Sequence, residues 1–250
     1  MIKLAAQLYT LREYCQNERD LDISLGRVAD IGYSAVQLSG VGPIPPERVR
    51  KLCDGYSLEI ALTHTDPERI LRDTEGAIVD HKVLGCRYVG IGGLPHRYRQ
   101  PEWFDRFFAD FAEPMEKLKA AGMLLMYHNH DFELEPMGGK TLLARLVEGA
   151  GPQELGFTLD TYWLQAAGAD SAAWIERLRG RVPCVHLKDM EMAGGKAVMA
   201  PVLEGNMNFD SIWRAMETAR TEYAIVEQDV CRESAFVCLE KSFKNLQRYL

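Results

Sequence analysis

The sequence predicts a single (β/α)8 barrel, an α/β TIM barrel, as one domain over residues 1–250. Three observations predict it. Strand-length apolar runs alternate with helix-like stretches eight times from end to end, and strict alternation implies a parallel sheet. The length of 250 residues is near that of one such barrel. Four polar residues, His128, Asp160, His186 and Glu227, each follow one of the later apolar runs. A parallel barrel delivers the C-terminal ends of its strands to one shared face.

The elements follow in order. Residues 3–9 form the first strand. In 21–31, Leu21, Leu25, Val28 and Ile31 share one helical face. Residues 35–38 are the second strand, and Pro45-Pro46 starts a helix. Residues 58–63 are the third strand. Asp66-Pro67 pairs an N-cap with proline at the first helical position, opening a helix to about Leu84 that Gly85 ends. Residues 87–91 are the fourth strand, and Gln100-Pro101-Glu102 opens a long aromatic-rich helix ending near Gly122. The fifth strand, 123–127, reaches His128, and 140–148 is the next helix. The sixth strand, 155–159, reaches Asp160 and precedes a helix from about Leu164 to Arg179. The seventh, 182–185, reaches His186. A long connection rich in Gly and Met, 189–210, leads to a helix at 211–219. The eighth strand, 223–226, ends at Glu227, and 233–249 closes the chain as a helix.

An open doubly wound sheet would alternate similarly. It commonly carries a Gly-rich phosphate loop after its first strand, a place held here by Tyr9-Thr10-Leu11-Arg12-Glu13. Gly90-Ile91-Gly92-Gly93 is too short and too late for a dinucleotide fingerprint and reads as a flexible βα loop.

Composition bounds the function. At 47% hydrophobic residues the chain can bury a large core. No apolar run approaches the roughly 20 residues that cross a bilayer, and the start reads as a strand, not a signal peptide. A net charge of −7 argues against a non-specific nucleic-acid or anionic-membrane surface. The six cysteines are scattered without a Cys-x-x-Cys pair, which suits free thiols in a reducing cytoplasm.

A lone polar residue at a strand end is ordinarily a turn or cap residue. Four at four successive strands are harder to explain that way. Two imidazoles and two carboxylates converging at a barrel mouth would make a divalent-metal site with nitrogen and oxygen ligands.

Several segments carry a resemblance. Residues 7–12 (Gln-Leu-Tyr-Thr-Leu-Arg), 127–133 (Tyr-His-Asn-His-Asp-Phe-Glu), Leu159-Asp160-Thr161, 185–189 (Val-His-Leu-Lys-Asp) and 204–209 (Glu-Gly-Asn-Met-Asn-Phe) together resemble the xylose-isomerase-like TIM-barrel superfamily. That group includes sugar-phosphate isomerases and epimerases, ketose 3-epimerases, inosose dehydratases and endonuclease IV. The resemblance implies a divalent metal, Mn, Mg, Co or Zn, bound from strands five to eight. The family's ligands there are commonly Glu, Asp, His and Glu. Asp160, His186 and Glu227 match the last three. At the first position this chain departs, with His128 before Asn129 where many relatives have Glu.

The expected roles follow. His128, Asp160, His186 and Glu227 are the candidate ligands. Glu227 and a histidine of the His128–His130 pair are the candidate proton movers, since imidazole titrates near neutral pH. Glu133 is expected to contact substrate hydroxyls, or else to supply a carboxylate to the metal. His64 follows the third strand and is expected at the mouth. Lys188 could neutralise an enolate or hold an anionic group, and Tyr9 and Trp163 could offer apolar faces to a sugar ring. Residues 204–208 suit either the cavity wall or a helix-entry turn. His81 and His96 read as structural.

The expected activity is that of a metal-dependent sugar isomerase or epimerase, or a dehydrating lyase. It would act on a small keto-sugar or cyclitol through a metal-stabilised enediolate. Two rivals stand beside it: an endonuclease IV-like phosphodiesterase and a catalytically silent sugar-binding barrel. Neither nucleic acid nor membrane is expected as a partner, and a homo-oligomer is left open.

Overall fold

The computed structural model describes residues 1–250. Eight parallel strands close into a barrel in chain order: β1 Lys3–Gln7, β2 Ala35–Leu38, β3 Glu59–His64, β4 Tyr88–Ile91, β5 Leu124–His128, β6 Leu155–Asp160, β7 Cys184–Leu187 and β8 Tyr223–Val226. β8 pairs back onto β1, with Ala5 opposite Ile225. This is the (β/α)8 architecture the alternation predicts.

Side chains of a strand alternate between its faces, so one set fills the barrel and the other packs under the helices. Low in the barrel the interior is apolar, with Ala5, Ala35, Leu62, Met126, Cys184 and Ile225 buried in one cluster. Two residues further on, the same six runs turn polar: Gln7, Gln37, His64, His128, His186 and Glu227. The barrel therefore has a packed floor and a polar upper layer, and that layer holds the candidate site.

The outward faces belong to a core of 56 buried residues beneath the helices. In helix Pro101–Ala120, Phe104, Phe107 and Phe111 are fully buried. Phe107 lies edge-on to Tyr127 of β5, with centroids 6.4 Å apart. Truncating such a phenyl to Ala costs roughly 3–5 kcal/mol. All six cysteines are free, and no helix is long and apolar enough to cross a membrane.

Three connections differ from expectation. The stretch 67–84 is two helices, Pro67–Arg72 and Thr74–Leu84. Asp73 ends the first, and its side chain accepts the Gly76 N–H to cap the second. The stretch 164–179 is likewise two, Thr161–Ala166 and Ser171–Arg177. Gly168 turns the chain at φ +77, and Asp170 caps the second helix. The connection after β7 is not loop throughout. Asp189–Ala193 and Lys196–Ala200 pair as an antiparallel hairpin, and Met199 of its second strand lines the cavity.

Candidate metal centre and its cavity

The structure brings His128, Asp160, His186 and Glu227 together. All four are buried, and one ligand atom from each lies within 4.8 Å of the others. Second contacts leave the inward atoms free. His128 Nδ1 donates to the Gly92 carbonyl at 3.2 Å, so its Nε2 faces Asp160 Oδ2, 3.3 Å away. His186 Nε2 donates to Gln37 Oε1 at 2.6 Å, which leaves Nδ1 facing Glu227 Oε2 at 3.0 Å and Asp160 Oδ2 at 3.7 Å. Asp160 divides its oxygens: Oδ1 accepts the Trp163 N–H to cap helix Thr161–Ala166, and Oδ2 turns to the cluster. The cap and the cluster are thus served by one carboxylate.

Lys188 is wholly buried beside this cluster. Its ammonium sits 3.0 Å from Asp160 Oδ2, 2.9 Å from Glu227 Oε2 and 2.7 Å from Asp229 Oδ2. Burial disfavours ionised Asp160 and Glu227, but Lys188 and the neighbouring imidazoles outweigh it and hold both well below the ordinary carboxylate range. Burial likewise opposes a charged His186, yet Glu227 and Asp160 raise it to about 9.

The donor set fits a divalent cation on the structure's own terms. His186 Nδ1 and Glu227 Oε2 face each other at 3.0 Å, with Asp160 Oδ2 3.7 Å from the same nitrogen, so an ion that displaced the His186 proton would find these donors already turned towards one point. Three carboxylates facing one ammonium leave two negative charges when the imidazoles are neutral, which one divalent ion would balance. Mixed imidazole and carboxylate donors suit Zn, Co or Mn.

Above the cluster opens a cavity of about 590 Å³. Tyr9, His64, His130, Trp163 and Lys188 line it with His128 and Glu227, and so do Arg12, Ser39 and Asp229. His64 meets Ser39 Oγ through Nδ1 at 3.2 Å. Burial, with the facing His128 and His186, holds it well below the ordinary imidazole range. Burial and His128 push His130 down to about 3, and its Nδ1 has no partner. Trp163 packs against His130 with centroids 5.4 Å apart, and Lys188 Nζ lies 5.5 Å from the Trp163 ring.

The structure corrects the placement of Glu133. It is fully buried and lines no part of the cavity. Tyr127 Oη donates to its Oε1 at 2.6 Å, and the His130 N–H donates to its Oε2 at 2.7 Å. Both oxygens are therefore engaged away from the cluster. Burial pushes the carboxyl up to about 7.

The segment 204–208 resolves into structural parts. Asp189, buried, accepts backbone N–H groups of Met190, Leu203, Gly205 and Met207 at 2.7–3.3 Å. Any side chain at Gly205 would collide with the Met190 carbonyl. Asn208 caps helix Phe209–Ala219, and Glu204 pairs with Lys241. His81 bridges Thr63 Oγ1 and the Ala77 carbonyl inside the core, and His96 sits in a short 3-10 turn, His96–Tyr98. Gly90-Ile91-Gly92-Gly93 does more than turn the chain. A Cβ at Gly92 would stand 3.1 Å from His64, and one at Gly93 3.2 Å from His130. These glycines make room for the imidazoles.

Sequence reading passed over Gln37, Arg12, Ser39 and Asp229. Gln37 carried a weaker signal than His128, a lone polar residue inside the short strand 35–38 and not one past its end. Arg12 and Asp229 carried none, because what they face depends on barrel closure.

Fold and site together define a (β/α)8 barrel with a candidate divalent-metal centre at its C-terminal mouth. The chain belongs to the family described as xylose isomerase-like TIM barrel, whose sequence model matches residues 25–235. It is 26% identical over 212 residues to the rhizopine catabolism protein MocC of Rhizobium meliloti, a match covering 76% of this chain. It is 23% identical over 190 residues, 68% of the chain, to an inosose dehydratase of Mesomycoplasma hyopneumoniae. The matches span 62% of the length of each of these two relatives. Among solved structures, a sugar phosphate isomerase/epimerase from Parabacteroides distasonis superposes with a TM-score of 0.81 at 24% identity, covering 99% of this chain and 94% of that one. The IolI protein with a bound zinc atom superposes with a TM-score of 0.74 at 14% identity, covering 98% and 97%. At these identities the superpositions speak to fold.

Proposed function

We propose that this protein is a divalent-metal-dependent enzyme of keto-sugar or cyclitol chemistry. It moves a proton at the carbon beside a carbonyl, as an isomerase or epimerase, or as a lyase when a β-hydroxyl then departs. The observation that carries the reading is the set of four buried donor atoms within 4.8 Å at the base of an open cavity. The names of the relatives, an isomerase/epimerase and an inosose dehydratase among them, support it.

His128 Nε2, Asp160 Oδ2, His186 Nδ1 and Glu227 Oε2 would hold the ion. When bound, it supplies Lewis-acid polarisation of a substrate carbonyl and a neighbouring hydroxyl. His130 is the histidine of the pair with a ring nitrogen free to take a proton: its Nδ1 is unpartnered, whereas both His128 nitrogens are engaged. Burial, which holds the ring down to about 3, keeps it neutral but makes it a weak base until a substrate displaces the charge around it. Glu227, kept ionised by Lys188, is the second basic group. The Lys188 ammonium stabilises negative charge as it develops on a substrate oxygen. Tyr9 and Trp163 wall the cavity, and neutral His64 offers a ring nitrogen to a hydroxyl. Glu133 acts at one remove, holding the His130 backbone.

Elimination is favoured over two-base epimerisation by one feature: His128 stands where a second carboxylate would give a matched pair. A neutral ligand also leaves the ion a stronger Lewis acid. The test is solvent-deuterium incorporation into a panel of ketoses and inososes by protein of measured metal content. Exchange should be lost on chelation. Glu227→Gln and His130→Ala should each slow it by about a hundredfold or more, the second with metal retained. A metal-loaded wild type that exchanges no panel member sinks the reading.

A further inference from the structure

We infer that the substrate carries an anionic group, a carboxylate or a phosphate, and that Arg12 selects for it. The inference rests on the proposed site and extends it to the far wall of the cavity. Two cations line that cavity, Lys188 and Arg12. Lys188 is already paired with three carboxylates at the base of the cavity, where it serves the reacting oxygen. Arg12 has no ion pair. Its Nη1 donates to the Tyr9 carbonyl at 2.9 Å and its Nη2 to the Asp229 carbonyl at 3.2 Å. Two of its five N–H groups are thus used, both on neutral acceptors, and three remain.

The guanidinium is nonetheless fixed in place. It lies 4.6 Å from the centroid of the Tyr9 ring. Gly40, at φ +66, lets the two side chains sit where they do, since a Cβ there would stand 2.9 Å from Tyr9 Cδ2 and 3.0 Å from Arg12 Cβ. Gln16 Nε2 ties the turn together, donating to the Arg12 carbonyl at 2.6 Å and the Gly40 carbonyl at 2.7 Å. An arginine held by carbonyls and an aromatic face keeps its full charge and its fork pre-set.

Asp229 supplies the direction. Its carboxylate meets Lys188 and its carbonyl meets Arg12, so the guanidinium stands one residue beyond the cluster. A substrate seated over the four donors extends across Lys188 towards Arg12. With a divalent ion in place the cluster is neutral and Arg12 is the remaining uncompensated charge on the wall. A neutral polyol leaves that cation unanswered. A carboxylate or phosphate engages it bidentately.

The experiment is calorimetric titration of the full chain, metal-free and metal-loaded, with fructose, fructose 6-phosphate and 2-ketogluconate. Wild type should bind at least one anionic ketose about tenfold or more tightly than fructose, a difference of about 1.4 kcal/mol or more. The two anionic arms distinguish phosphate from carboxylate. Arg12→Gln should bring the anionic-to-neutral affinity ratio to about one while metal affinity is unchanged, and Arg12→Lys should keep part of the preference. A wild type without preference, binding neither anion better than fructose, overturns the inference. So does a preference that survives in Arg12→Gln. Failure of the metal titration would sink the proposed function separately, because the ratio is also read on metal-free protein.

Discussion

Gln37 Oε1 accepts the Nε2–H of His186 at 2.6 Å across the barrel, from a residue 149 positions away in sequence. This bond selects the tautomer whose Nδ1 lone pair faces Asp160 and Glu227. Neighbours of this kind orient a metal-binding imidazole and tune its basicity.

Gln37→Leu should therefore weaken metal binding by about 10–100-fold, the usual effect of losing such a partner. It should also destabilise the metal-free protein by about 1–3 kcal/mol, because a buried imidazole N–H loses its acceptor. Competition with a chromophoric chelator reads the first effect and urea unfolding the second. Unchanged metal affinity would show that Gln37 does not orient His186.

Metal affinity should rise with pH. In the metal-free protein His186 is raised from 6.5 to about 9, so below that pH an incoming ion displaces a proton. Apparent affinity should climb about tenfold per pH unit and level off above pH 9. The same shift makes a protonated His186 stabilising in the metal-free state. That contribution is fully present below pH 6.5 and is lost as pH rises through 9, on the order of 3 kcal/mol. Metal titrations and metal-free melts at pH 6, 7.5 and 9.5 check both. A flat affinity profile would place no proton on His186.

Lys188→Met leaves Asp160, Glu227 and Asp229 facing one another without their ammonium. Removing one partner of a buried ion cluster costs about 3–5 kcal/mol, so the metal-free variant should melt well below wild type. Added divalent metal should then raise its Tm by more than it raises that of wild type, since the ion answers charge that Lys188 formerly answered. Equal metal-induced shifts would mean that ammonium and ion do not share these oxygens.

His128→Glu separates the two proton chemistries. Under elimination the variant should bind metal and lose the native reaction, because the ion's ligand charge has changed. Activity on a ketose and an inosose at matched metal occupancy decides. A variant that gains ketose epimerisation and loses nothing else favours the two-carboxylate mechanism and sinks the lyase reading.

The amino-acid sequence by itself determined the barrel. Eight apolar runs such as 35–38 and 223–226 mark strands whose ends fall within about two residues of those observed, because strand formation and strand spacing are local properties. The four donors at the ends of β5 to β8 were legible for the same reason: one position past an apolar run becomes one layer of the mouth once the sheet is parallel. Gln7 and Gln37 join the same layer from inside their strands, two residues on from Ala5 and Ala35, where no position past an apolar run marks them.

Tertiary structure decided which atoms meet. Asp73 and Gly168 break helices that apolar spacing alone joins, since a cap or a positive-φ turn outweighs periodicity at one residue. Glu133, three residues beyond the His130 imidazole of the mouth and so placed there by sequence, is turned away because Tyr127 and the His130 N–H claim its oxygens. Arg12 reaches Asp229 over 217 positions only because β8 closes on β1. Strand order is written locally in the chain. The pairing of side chains across a closed barrel depends on curvature and register summed over all eight strands, and no local stretch carries that information.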